Sequence, residues 1–509
     1  MTKPGKVYLV GAGPGDIGLI TAKSLWCLSR ADVVVYDYLA AETLLENAPE
    51  KAERIYVGKT AGDHTMTQTN ISQLLVEQGK LGKTVVRLKG GDPFVLGRGG
   101  EEAALLAENG IPFELVPGIT SAIAVPMYAG IPVTHRGLAS SFAVITGHED
   151  PLKPESSIKW EKLATGVDTL VFLMGMKNIG NIAVNLVKYG RPVDTPVAVV
   201  KEGTTPDQKT VVGTLADIAD KVNEQKVGSP AVIIVGDVVS MRGKIRWFDK
   251  QPLFGKRVLV TRARTQVSKL SRFLAERGAK PVELPSIEIQ PLEDNSGLDG
   301  VISSIGDYHW IIFASTNGVE AFFKRLKKLQ LDTRALSGIT IGAIGPATAD
   351  SLAERGITPD YIPEVFTTDG IIEGMKNRRI TGRKILLPGP DIADGKLSAA
   401  IHGLGGSPHE IVAYRTVPAK NSAASAKKLL EAGEVDIITF TSSSTVTNLL
   451  DAFGADKIKL DGVLLASIGP KTTETIEKAG LKVDIIAKEP TILGLVDAIE
   501  GYFAERGSI

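Results

Sequence analysis

Between Lys6 and Arg246 the chain repeats one pattern: an apolar run of strand length, a glycine-rich turn, then a helix-length stretch with apolar positions on one side. The runs "VYLVGAG", "TVVRLKGGDP", "FAVITGH", "TLVFLMG" and "AVIIVGDVV" read as strands, and "GGEEAALLAENG" as a helix. Such alternation predicts parallel βα units. The pattern breaks at "IRWFDKQPLFGKR", where aromatics, Pro and Gly follow no sustained period, so 247–256 reads as a linker. At Arg257 a strand, "RVLVTRA", and a helix, "QVSKLSRFLAERG", begin the pattern again, marking a second domain over 257–509.

The second half also repeats itself. "IIFASTNGVEAFF" with "IGAIGPATADSLAERGITPDYI" is echoed by "IITFTSSSTVTNLL" with "LASIGPKTTETIEKAGLKVDII". Each copy is an apolar strand, a Ser/Thr-rich turn and a helix, then a strand ending in Gly-Pro and another helix. Two similar lobes follow from that.

Composition narrows the function. Lys plus Arg and Asp plus Glu both number 58 in 509 residues, so no overall field draws the chain to nucleic acid or an anionic membrane. No run of ~18 apolar residues is present and no basic leader precedes an apolar stretch, so a cytoplasmic protein is expected. Cys27, the only cysteine, lies beside Trp26 and Leu28 in a helical segment and reads as core.

The first turn poses a question of ligand charge. Gly13, Gly15 and Gly18 have the spacing of a dinucleotide-binding loop, and a second apolar run ends in Asp37, where a ribose-binding acid would stand. Asp16, however, occupies the helix start that a pyrophosphate needs, and its charge opposes phosphate. "GGDPFVLGRGGEE" adds Gly90 and Gly91, which admit close approach, and the carboxylate of Asp92. Asp16, Asp37 and Asp92 together suit a ligand carrying a sulfonium and an ammonium better than a pyrophosphate. A nicotinamide oxidoreductase is the alternative.

In the second half the Ser/Thr turns at Ser315, Thr316 and Asn317, and at Thr441, Ser442 and Ser443, place hydroxyls and backbone N–H groups at helix starts. Carboxylates or phosphates are favoured there, although each turn taken alone is more simply a helix cap. The repetition of such turns at strand C-terminal ends marks the edge where open α/β sheets bind ligands.

"VGAGPGD", "VVYD", "VGK", "RLKGGDPFVLGRGGEE", "VPGITSA", "GIPVTHR", "TGH" and "FLMG" occur in the order found in uroporphyrinogen-III C-methyltransferases, and 6–246 resembles that tetrapyrrole methylase family. "VLVTRA", "FTSSSTV", "SIGPKT" and "VAYRT" make 255–503 similar to uroporphyrinogen-III synthases. The resemblance implies an α/β chain: a two-subdomain methylase fold (1–135 and 136–246), then a two-lobed synthase with parallel sheets. One lobe would comprise 257–286 with 417–509, the other 287–416. It implies S-adenosylmethionine as the methyl donor, held by Pro14, Gly90, Gly91, Asp92, Val95, Thr120, Ser121, Met174 and Gly203. Asp37 matches the family's proton acceptor and Lys59 its proton donor. Tyr414 matches a tyrosine that assists departure of a hydroxyl, with a packed core tyrosine as the other reading; the Ser/Thr turns would bind substrate. The implied substrates are hydroxymethylbilane and uroporphyrinogen III, the product is precorrin-2, and no metal is implied. A homodimer through the methylase half is expected. A synthase half that only binds tetrapyrrole remains the alternative for the C-terminal domain.

Overall fold

The computed structural model describes residues 4–38, 42–58, 66–148, 157–261, 269–284, 287–376, 378–393, 395–418, 422–453, 460 and 462–505. The chain divides into two compact units, Met1–Lys256 with Leu274–Lys280 and Phe503–Ile509, and Arg257–Phe273 with Pro281–Tyr502. Among the described residues no helix is long and apolar enough to cross a membrane.

The first unit holds two five-stranded sheets. Strands β1 (Lys6–Gly11), β2 (Val33–Tyr36), β3 (Glu53–Tyr56), β4 (Thr84–Lys89) and β5 (Phe113–Val116) form a parallel sheet in the order β3-β2-β4-β1-β5. Period-two alternation sends Val7, Leu9, Val33, Val35 and Val85 to one buried face and Tyr8, Val10, Val34, Val86 and Leu88 to the other. Burial on both faces explains the nearly continuous apolar runs. Cys27 is fully buried in the second of these clusters.

The second sheet comprises β6 (Phe142–Thr146), β7 (Thr169–Leu173), β8 (Pro196–Lys201), β9 (Lys209–Thr214) and β10 (Ala231–Val235), in the order β6-β7-β10-β8-β9. It departs from the parallel arrangement that the alternation predicts: β6 and β7 run parallel, but β10 is antiparallel to β7 and β8, and β8 to β9. No helix separates β8 from β9, and a short connection can only return the chain antiparallel.

In the second unit β11 (Arg257–Val260), β12 (Lys280–Glu283), β13 (Ile287–Gln290), β14 (Trp310–Phe313), β15 (Thr340–Ala343), β16 (Lys384–Pro390), β17 (Ser407–Pro418), β18 (Ile437–Phe440), β19 (Leu464–Ser467) and β20 (Ile485–Ile486) build two sheets. Their orders are β12-β11-β18-β19-β20 and β13-β17-β16-β14-β15. The internal repeat becomes the same unit in each sheet. β14 pairs with β15 and β18 with β19, both parallel, and each Gly-Pro opens a helix with proline in its first turn, at Pro346 and Pro470.

The segment after Arg246 contains one short turn of 3-10 helix, Phe248–Lys250, and is not an extended spacer. Phe248 is 6% exposed, and the Tyr128 ring lies 4.8 Å from it and 5.0 Å from Trp247, centroid to centroid. Asp249 pairs with Arg242.

Candidate active sites

At the C-terminal edge of the first sheet three adjacent strands end in loops that bond to one another. Ala12 N donates to Lys89 O at 2.8 Å, Gly13 N to Gly91 O at 3.2 Å, and Gly91 N to Gly13 O at 2.7 Å. A Cβ on Gly118 would stand 2.2 Å from Gly91 O and 2.7 Å from Gly11 Cα, and one on Gly11 would stand 2.4 Å from Gly118 Cα. Only glycine permits this approach. Asp92 fastens the arrangement: Oδ1 accepts from Phe94 N at 2.8 Å and Oδ2 from Gly118 N at 3.0 Å. Gly91 adopts φ +66°, and a Cβ there would face Thr120 Cα and Ser121 N, each 3.8 Å away. Thr120 in turn caps the helix Ser121–Tyr128, accepting from Ala122 N at 3.3 Å. Gly90, Gly91, Asp92, Thr120 and Ser121 therefore share one half-buried cradle.

The glycine spacing of the first loop serves packing. Asp16 Oδ1 accepts from Gly18 N at 2.7 Å, Oδ2 accepts from the Tyr128 hydroxyl at 2.6 Å, and Asp16 N donates to Thr204 Oγ1 at 3.1 Å. The amides of Gly13, Asp16 and Gly18, which a pyrophosphate would need, are all engaged within the protein. Burial, then the bond to Asp16, raises the Tyr128 phenol well above its ordinary pKa. Pro14 is half-buried beside Gly15, whose Cβ would lie 2.8 Å from Thr205 Cγ2 and 3.0 Å from Thr204 Oγ1. Gly203, buried in that second loop, leaves no room for a side chain, since a Cβ would meet Val125 Cγ1 at 2.4 Å. Val95 follows Asp92 in its loop, half-buried, and Met174 stands exposed at the end of β7; neither is joined to the cradle by the bonds above. Leu96, Arg98, Met174, Glu202 and Thr204 all take positive φ in these loops, a concentration of strain of the kind that binding sites hold.

Asp37, just past β2, is anchored from β4. Its Oδ2 accepts from Arg87 Nη2 at 2.8 Å. Arg87, Lys89 and Glu102 are all buried and bonded together, and sequence reasoning missed all three. The available signal was two cations at alternate positions of "TVVRLK", whose companions are buried on both faces of a parallel sheet. Burial, then the charge of Arg87, lowers the Lys89 amine, with Glu102 opposing. Lys59 lies outside the described residues.

In the second unit Ser315 closes β14 and caps the helix Thr316–Lys328, its Oγ accepting from Gly318 N at 3.0 Å. The same Oγ lies 3.1 Å from the Tyr414 hydroxyl. Tyr414, on β17, is 5% exposed within the apolar core, and burial raises its phenol pKa while the Ser315 bond opposes. The structure thus brings Ser315, Thr316 and Tyr414 together at one sheet. Thr441, Ser442 and Ser443 follow β18 in the other sheet. There Ser442 and Thr445 bond reciprocally, Oγ to N at 3.3 Å in each direction, and Ser443 Oγ donates to Lys471 O and accepts from Thr475 Oγ1.

Residues 6–219 match the family model for tetrapyrrole (corrin/porphyrin) methylases, and 268–497 match that for uroporphyrinogen-III synthase HemD. The "Porphyrin biosynthesis protein HemD" of Ruminiclostridium josui is 40% identical over 97% of this chain and 97% of its own. The chain belongs to this HemD family. A "Uroporphyrinogen-III C-methyltransferase" of Bacillus subtilis (strain 168) is 44% identical over 70% of this chain and 72% of its own. An "S-adenosyl-L-methionine-dependent uroporphyrinogen III methyltransferase" of Methanosarcina barkeri is 57% identical over 47% of this chain and 93% of its own. In this HemD-family chain the resemblance read from "RLKGGDPFVLGRGGEE" and "VAYRT" thus extends over both halves.

Proposed function

We propose that this chain carries two consecutive steps of tetrapyrrole biosynthesis. The C-terminal half closes hydroxymethylbilane to uroporphyrinogen III, and the N-terminal half transfers two methyl groups to it from S-adenosylmethionine, giving precorrin-2. The observation that carries the methyl-transfer reading is the glycine cradle formed by Gly11, Gly91 and Gly118. Its strands pack backbone to backbone and leave space only above Gly91, where an added Cβ would meet nothing nearer than 3.8 Å, while the amides of Gly13, Asp16 and Gly18 that would hold a pyrophosphate are engaged. Pro14, Gly90, Gly91, Asp92, Val95, Thr120, Ser121, Met174 and Gly203 hold the donor, whose sulfonium supplies an electrophilic methyl group. Asp92 and Asp16 shape the loop backbone through bonds made by their carboxylates, in addition to the negative charge they bring.

Asp37 takes up the proton that the methylated macrocycle releases, and Lys59 serves as proton donor. In the other half Tyr414 gives a proton to the departing hydroxyl, and the turns at Ser315–Thr316 and Thr441–Ser443 hold substrate carboxylates. The placement of the Tyr414 hydroxyl 3.1 Å from Ser315 Oγ, at the start of the helix Thr316–Lys328, supports this. The methylase spans 1–246, with subdomains 1–135 and 136–246, and the synthase 257–509, with lobes of 257–286 plus 417–509 and of 287–416. The protein works in the cytoplasm as a homodimer through its methylase half.

Incubating the full chain with hydroxymethylbilane and S-adenosylmethionine tests the whole reading. A cyclised product two methyl groups heavier by mass, with inverted ring order by chromatography, is expected. A dimethylated product without ring inversion would reduce the second half to a binding module, and an unmethylated one would refute the first.

A further inference from the structure

Three charged side chains lie beneath Asp37, Arg87 at 3% exposure, Lys89 at 4% and Glu102 at 0%. Buried ions of this kind seldom stabilise a fold more than well-packed apolar residues would, and the strand that carries two of them is otherwise apolar. Their geometry is specific. Arg87 Nη1 donates to Leu88 O at 3.0 Å and to Val35 O at 3.4 Å, Nε reaches Glu102 Oε1 at 3.4 Å, and Nη2 holds Asp37 Oδ2 at 2.8 Å. Glu102 Oε1 also accepts from Lys89 Nζ and from Gln68 Nε2, each at 2.9 Å. Nη1 is fixed to the sheet backbone and Nε to Glu102. Nη2 meets Asp37, which is half-exposed at the sheet edge where the glycine cradle stands.

We propose that Arg87 is a positioning residue for methyl transfer: it fixes the Asp37 carboxylate for proton acceptance, and Glu102, backed by Lys89 and Gln68, fixes Arg87. This rests on the reading of Asp37 as proton acceptor. In the reaction a carbon of the macrocycle bonds to the methyl group as the S–CH₃ bond breaks, its electron pair staying on sulfur. The positive charge passed to the macrocycle is removed when one proton leaves it for Asp37. A carboxylate that has lost this hold would meet that proton less often in the right orientation, so the loss should fall on kcat.

The test is a double-mutant cycle in the full chain with Asp37→Asn, Arg87→Met and both together. It measures single-turnover methylation of uroporphyrinogen III, S-adenosylmethionine affinity by calorimetry, and Tm. Arg87→Met should lower the rate about 10²-fold while leaving donor affinity within about twofold, and should cost nothing further once Asp37 is Asn. Arg87→Lys, which keeps the charge without the fork, should recover part of the rate. An equal loss in both backgrounds, or a wild-type rate in Arg87→Met beside a slow Asp37→Asn, overturns the proposal alone. A wild-type rate in Asp37→Asn overturns the proton-acceptor reading and the proposal with it. If Arg87→Met does not fold, Glu102→Gln replaces it in the cycle, with about a 10-fold loss expected only where Asp37 is present.

Discussion

Gly118 and Gly91 stand side by side and constrain the site differently. At Gly118 an added Cβ meets backbone at 2.2 Å, so Gly118→Ala should force the loops after β1, β4 and β5 apart and abolish S-adenosylmethionine binding. At Gly91 there is space, and the cost is the left-handed conformation, about 1–2 kcal/mol for alanine, so a weakened but measurable affinity is expected. Calorimetry ranks the two variants, and the reverse order would place the ligand elsewhere. Tyr414→Phe should lower cyclisation about 10²-fold while retaining the ring's packing. It should also change the response to alkali. Because the folded phenol holds its proton above the ordinary pKa near 10, its contribution is intact below that pH and is lost as pH rises through the raised value. Wild-type Tm should therefore fall more steeply than that of Tyr414→Phe above pH about 10, and parallel curves would exclude Tyr414 as the titrating group. The sequence displayed the charges of Asp16 and Asp92 but not their partners. Tyr128 lies far from Asp16 along the chain, and the partners of Asp92 are backbone amides that no residue pattern records.

Elements were most legible where burial on both faces imposed a nearly continuous apolar run. The runs of β1, β2 and β4 read as strands, and their successive residues reach the two buried faces of one sheet. Direction was less legible in β8, β9 and β10, because an apolar run buried on both faces reads the same in either sense and only the missing helix between β8 and β9 carried the information. The loops between elements were legible as glycine-rich and opaque in their cross-bonding. Asp92 shows the consequence, since it joins the loop after β4 to the loop after β5. Asp92→Ala removes both bonds and should cost about 2–3 kcal/mol of stability with a parallel loss of donor affinity, and Asp92→Asn should fall between. Denaturant unfolding and calorimetry on the same samples check this. Lost affinity at unchanged stability would mean that the carboxylate meets the ligand directly.

At the scale of the whole molecule, the question is whether two enzymes share one chain or one fold. The sheets of the first unit are complete by Val235 and those of the second begin at Arg257, so a division at Lys256 separates no paired strands. The pieces 274–280 and 503–505, which group with the first unit, supply no strand to its two sheets. Met1–Lys256 should therefore fold alone and methylate supplied uroporphyrinogen III, and 257–509 should cyclise hydroxymethylbilane. The segment after Arg246 belongs with the first fragment, because Phe248 packs its ring against Tyr128 and Asp249 pairs with Arg242, which also donates to Ala129 O at 2.5 Å. Tyr128 is in turn the residue that holds Asp16, so this segment braces the loop after β1 that carries Asp16. Ending the fragment at Arg246 should cost about 3–5 kcal/mol, the range for deleting a buried phenylalanine, and should weaken donor binding as well as lower Tm. Measuring Tm, donor affinity and methylation rate for the fragments ending at Arg246 and at Lys256 decides it. Equal values would reduce the segment to a spacer, and an inactive fragment ending at Lys256 would mean that the methylase requires the second unit to fold.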